Sequence, residues 1–191
     1  DVFDADGRPL GLYYGDYFSR PSKQGGAWCE SFVDQSGLLG TRPVMITVLN
    51  LTKPAPGQHA LLSFDDATVL FHEFGHALHG LFADVKYPGL ANTPRDFVEV
   101  PSQFNEHWAL EPSVFANYAR HYQTGAPMPA ELVQKIKRAK TFNQGYATTE
   151  YLSAALLDLA WHERAAGAPK PDVNAFEREA LYSRPLFAVL L

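Results

Sequence analysis

Between residues 70 and 82 the apolar positions Leu70, Phe71, Phe74, Ala77, Leu78, Leu81 and Phe82 recur every three or four residues, the repeat of one buried helix face. His72, Glu73, His76, His79 and Gly80 occupy the adjoining face, so this helix is expected to pack on one side and present chemistry on the other. Asp65 and Asp66 are read as its N-cap, with acidic charge at the positive end of the helix dipole. The run 60–64 just before them reads as a strand. Gly75 costs about 1 kcal/mol inside a helix relative to Ala, and a close backbone neighbour would explain its presence.

Elsewhere the pattern predicts a small sheet and then helices. Residues 2–4 and 10–18 flank Asp6-Gly7, a hairpin signal, and residues 43–51 alternate β-branched and apolar side chains as a strand does. Segments 20–26 and 52–57 are Gly/Pro loops within one domain. At 92–108, Thr93 as N-cap, Pro94 at the first helical position and Asp96 two residues on start a second helix. Pro101 is expected to kink or break it. Helical patterns follow at 111–123, 129–141, 148–165 and 173–181. The fold class is therefore mainly α, a helical core with a small sheet beside the motif helix. The sheet takes roughly 1–64, the metal-binding helices roughly 65–111, and a helical remainder 112–191.

Composition narrows the classes. The 191 residues are 46% hydrophobic, enough for a real core in one domain. A net charge of −5 without a basic block argues against nucleic acid or anionic membranes as partners, and no apolar run is long enough to span a membrane. The single cysteine, Cys29, forms no internal disulfide, fits a reducing, cytoplasmic compartment, and reads as a buried small hydrophobe. The apolar tail 186–191 is expected to pack against further structure, and its exposure in this piece to favour association.

His72-Glu73-Phe74-Gly75-His76 is an H-E-x-x-H motif. On a helix, positions i and i+4 share a face one turn apart, so both histidines can bind one cation while Glu73 sits beside it, poised as general base. His79 lies about 10 Å from His72 along the axis, too far to share one tetrahedral ion; it is assigned to packing or to support of the ligands. Glu99, just before the Pro101 irregularity, is the candidate third metal ligand. Asp96, Ser102, Gln103 and Glu106 share its side of the helix at three- and four-residue spacing and are candidates to orient the ligand histidines, against the plainer reading of each as a capping or solvated residue. Tyr146 and Tyr151 read as helix packing rather than as oxyanion donors, and His107, His121 and His162 as surface or packing histidines. No residue is assigned to an organic cofactor.

The string from Leu70 to Gly80, followed by Arg95-Asp96-Phe97-Val98-Glu99-Val100-Pro101-Ser102-Gln103, resembles the thimet oligopeptidase family of zinc metallopeptidases, within it the bacterial peptidyl-dipeptidase branch. Matches at 50–58 and 141–152 extend the resemblance over nearly the whole chain. It implies a zincin-like α+β fold, one Zn2+ per chain held by His72, His76 and Glu99, Glu73 as general base, and short peptides as substrates, with release of C-terminal dipeptides and endo-cleavage as the alternative. The loop 87–93 is about two residues shorter than the family pattern. That pattern also includes a helical portion before the matched region and a tyrosine-rich segment after it, so the chain is expected to be part of a larger catalytic domain, with the remainder of that domain as its partner. Two other readings stay open: a non-catalytic metal-binding or apo fragment with an incomplete active site, and a helical interaction domain whose motif is accidental.

Overall fold

The computed structural model describes residues 1–182, which form two compact units, 1–127 and 128–182. The first unit holds a mixed sheet, with strands β1 (Val2–Phe3), β2 (Pro9–Phe18), β3 (Trp28–Val33) and β4 (Val44–Leu51) in the order β1-β2-β4-β3. β1 and β2 form the expected antiparallel hairpin, closed by Asp4, whose Oδ1 accepts from the amides of Asp6 and Arg8 at 2.9 and 2.8 Å. β2 runs parallel to β4, and β3 runs antiparallel to β4 on its other side. With a neighbour on both edges, β4 is the most buried strand, and Met45, Thr47, Val48 and Leu49 are all buried.

Helix α1 (Phe64–Leu81) lies on this sheet. Met45, Ala77 and Leu81 form the buried cluster between them, with Val2, Tyr13 and Cys29 packed around it. Gly80 leaves room for the Met45 thioether, which stands 2.5 Å from where a Cβ would project. Two expectations for this region are corrected. Residues 60–64 do not form a strand. The cap is Ser63, not Asp65 or Asp66: Ser63 Oγ accepts from the Asp66 amide at 3.0 Å, and Asp66 Oδ2 accepts from the Ser63 amide at 2.9 Å. This reciprocal box satisfies two of the donors left open at a helix start, while Asp65 and Asp66 sit inside the first turn.

The second predicted helix starts later than expected. Residues 95–98 are turns, and α2 spans Glu99–Glu106. Pro101 neither kinks nor ends it, because it falls in the first turn, where amide hydrogens have no helical acceptor. A 3₁₀ turn (His107–Leu110) and a short helix α3 (Pro112–Tyr118) follow, so the expected helix over 111–123 stops early. The second unit comprises α4 (Ala130–Thr141), α5 (Gln144–His162) and α6 (Val173–Tyr182). The apolar tail 186–191 lies outside the described residues. None of the described helices is long and apolar enough to cross a membrane.

Candidate metal centre and active site

α1 and α2 cross at Gly75. A Cβ there would stand 2.7 Å from Ser102 Cα and 2.8 Å from the Pro101 carbonyl oxygen, so only glycine lets the two backbones approach this closely. Asn105 Nδ2 reinforces the crossing by donating to the Phe71 carbonyl at 2.6 Å. This close approach brings the first residue of α2, Glu99, over the histidine face of α1.

The result is a compact donor set. Glu99 Oε2 lies 3.2 Å from His72 Nε2 and 3.2 Å from His76 Nε2, and one donor atom from each of the three residues lies within 4.8 Å of the others. The two imidazoles stand nearly perpendicular, with ring centres 5.0 Å apart. Tetrahedral ligands at bonds of about 2.0–2.1 Å are separated from one another by about 3.3–3.4 Å. The two 3.2 Å spacings are close to that edge, so the three side chains form a candidate metal-binding group.

The electrostatics prepare the set for a cation. The Ser102 hydroxyl donates to Glu99 Oε2 at 2.8 Å; this bond, aided by the two histidines, holds the Glu99 carboxyl below its usual range against the opposing effect of burial. His76 is pushed below the ordinary imidazole value, first by burial, with Glu99 opposing. At neutral pH the carboxylate is ionised and the His76 ring neutral, the forms that ligate. Glu73 behaves oppositely. It is only 6% exposed, and burial, with the Glu99 charge adding to it, raises its carboxyl pKa. Among the described residues its Oε2, itself buried, has no hydrogen-bond partner.

A cavity of about 510 Å³ opens over these residues. β3 and the turn after it, from Trp28 to Gln35, supply one wall, α1 the floor with His72, Glu73, His76 and His79, and the loop Ala91–Thr93 the far side. His79 stays out of the donor set and contacts this loop, its Nδ1 3.2 Å from Thr93 Oγ1. Of the four residues expected to orient the ligand histidines, Glu106 contacts one, 2.7 Å from His72 Nδ1, whereas Ser102 contacts Glu99 instead. β3 itself is missing from the sequence reading. Its six residues mix aromatic, acidic and small side chains, and its pairing with β4 is a long-range property that a local pattern does not carry. Cys29, on that strand, is partly buried in the core, and burial pushes its thiol up to about 11.

The sequence model described as Peptidase family M3 matches residues 1–185. The chain belongs to peptidase family M3. Among curated relatives, it is 57% identical over 183 residues to dipeptidyl carboxypeptidase of Escherichia coli (strain K12), covering 95% of this chain and 27% of that protein. The dipeptidyl carboxypeptidase of Salmonella typhimurium is 53% identical over 188 residues, covering 97% of this chain and 28% of the relative. Oligopeptidase A of E. coli is more distant, 36% identical over 188 residues, covering 95% and 27%. The chain thus spans about a quarter of the length of these M3 relatives.

Tyr146 and Tyr151, on α5 of the second unit, correct the packing reading made for them. They are 46% and 74% exposed.

Proposed function

We propose that this chain carries the catalytic zinc centre of a peptidase that hydrolyses short oligopeptides and releases C-terminal dipeptides. The observation that carries the reading is the approach of Glu99 Oε2 to both Nε2 atoms at 3.2 Å, beside a buried Glu73 whose Oε2 has no hydrogen-bond partner among the described residues. The greater identity to two dipeptidyl carboxypeptidases than to an oligopeptidase A favours dipeptide release over internal cleavage.

His72, His76 and Glu99 would hold the metal. Zinc bound there supplies a Lewis acid that polarises a carbonyl and brings the pKa of a water to about 7. The chain's own residues do the remaining work. The Glu73 carboxylate accepts a proton from the attacking water, a task suited by its raised pKa, and then passes that proton to the leaving amine. Ser102 keeps Glu99 ionised throughout. β3 has β4 on one edge and none of the described strands on the other, and residues 28–31 line the cavity, so an extended peptide can add to that edge by main-chain hydrogen bonds without its side chains being read. Among the described residues the cavity wall holds no Lys or Arg. A substrate's terminal carboxylate would therefore be met by residues beyond this wall.

The test uses the full-length protein at measured zinc occupancy. A short peptide blocked at its N-terminus should lose a dipeptide from its free C-terminus, identified by mass spectrometry, and the C-terminally amidated peptide should resist. Equal internal cleavage of both would replace dipeptide release by endo-cleavage. A zinc-loaded protein that cleaves neither would leave only the non-catalytic metal-binding reading.

A further inference from the structure

Of the three histidines on α1, His72 and His76 enter the donor set and His79 does not. His79 still lines the cavity, and its Nδ1 lies 3.2 Å from Oγ1 of Thr93, on the loop at the cavity's far side. Its ring centre is 6.4 Å from that of Phe97, so one side chain of α1 meets the segment between α1 and α2 at two points. That segment is fixed at its start, where the Val85 and Lys86 carbonyls accept from the amides of Gly37 and Leu38 at 2.9 and 2.8 Å. It is fixed at its end where Glu99 opens α2 beside the glycine crossing. Between these anchors, residues 87–98 are turns and irregular chain. The tip stands open: Tyr87 and Leu90 are more than half exposed, and a Cβ on Gly89 would meet nothing within 4 Å. Chain with so little packing is held in place by individual side-chain bonds, and Thr93, which makes the bond to His79, lines the cavity together with Ala91 and Asn92.

We propose that His79 is a positioning residue for substrate: by tying Thr93 to α1 it holds Ala91–Thr93 in place as the wall that faces β3 across the cavity. This rests on the reading of the cavity as the peptide site. A peptide lying along β3 has α1 beneath it and this loop at its far side, so the tie acts on how well the peptide is held and not on the bond-breaking step. His79 thereby serves binding, in place of packing or ligand support. A hydroxyl both donates and accepts, so the tie forms with either ring nitrogen of His79 carrying the hydrogen.

The test uses the full-length protein at equal zinc occupancy, with one short peptide blocked at its N-terminus. Thr93→Val keeps the shape of the side chain and removes the hydroxyl. It should raise KM by about two- to ten-fold, the range spanned by one net hydrogen bond, at unchanged kcat and zinc content. His79→Ala should raise KM likewise. His79→Asn, whose amide reaches to where Nδ1 stood, should recover most of the loss. The double variant His79→Ala/Thr93→Val should be no worse than His79→Ala alone, because both remove the same bond. Hydrogen exchange of the segment 87–95, followed by mass spectrometry, should be faster in Thr93→Val and His79→Ala than in the wild type, and near the wild-type rate in His79→Asn. Wild-type KM in Thr93→Val, a double variant whose KM rises by the product of the two single effects, or a fall in kcat or zinc content in Thr93→Val would each overturn the proposal. If His79→Ala does not fold, Thr93→Val and His79→Asn decide it. A zinc-loaded wild type that cleaves no peptide would instead overturn the peptidase reading; the tie is then judged by exchange, where an unchanged rate in Thr93→Val would remove it.

Discussion

α1 and α5 are nearly the same length, 18 and 19 residues, and both are rich in apolar and small side chains. Their surroundings within their own units differ sharply. α1 opens on a reciprocal capping box and buries Glu73, Gly75, Ala77 and Leu81. α5 starts after Asn143 in a left-handed conformation, has no side-chain cap, and buries only Ser153 among its residues, with Leu152 and Leu159 more than 40% exposed. Periodicity makes both of them helices. α5 is met by α6, with the Trp161 and Phe176 rings 4.1 Å apart. Of the two helices, among the described residues, α1 is the one backed by a sheet and crossed so closely that a glycine is required, and it is there that His72 and His76 stand at 3.2 Å from a carboxylate. Chemistry is concentrated where long-range packing removes freedom, and helical sequence alone does not supply that.

The sharpest way to break this contrast is to remove a ligand from α1. His76→Ala should abolish stoichiometric zinc binding in the full-length protein, since two remaining donors do not make a stable site; elemental measurement of the purified variant checks this. Next comes the crossing itself. Gly75→Ala forces a methyl group against the α2 backbone, so unfolding stability should fall by about 1–3 kcal/mol. Zinc affinity should fall with it as Glu99 is displaced, and thermal unfolding with chelator competition reads both. A variant with native stability and affinity would show that α2 can shift freely.

Smaller effects sharpen the comparison. Ser63→Ala removes the cap of α1 and should cost about 1 kcal/mol, read as a lowered midpoint in denaturant at unchanged zinc content. Tyr151→Ala on α5, where the side chain is 74% exposed, should change the stability of this chain by no more than about 0.5 kcal/mol. A larger loss would mean that α5 is packed more like α1 than its exposure indicates.

The difference between the helices also explains what could be read from the sequence. His72, Glu73 and His76 obey a local rule, i and i+4 on one face, so their juxtaposition was legible before any tertiary contact was known. Gly75 was legible as a close approach because glycine inside a helix needs a reason, and the Ser102 backbone supplies it. The start of α2 was misplaced because Thr93 and Pro94 mimic a helix entry, while the real entry places Pro101 where a missing amide costs nothing. β3 was missed because its identity lies in pairing with β4, whose partner residues lie 11 to 20 positions away along the chain. The grip of Glu106 on His72 was visible only as one of several equivalent carboxylate and amide candidates, since choosing among them requires the angle at which α2 crosses α1.

The central claim is that His72, His76 and Glu99 hold the metal while Glu73, beside them, moves the proton. Glu73→Gln in the full-length protein separates these roles in one experiment, with zinc content and kcat measured on the same preparation. The account predicts one zinc per chain, as in the wild type, with kcat lowered by about 10² or more. A variant that lost its zinc, or one that kept its zinc and turned over peptide at the wild-type rate, would contradict it.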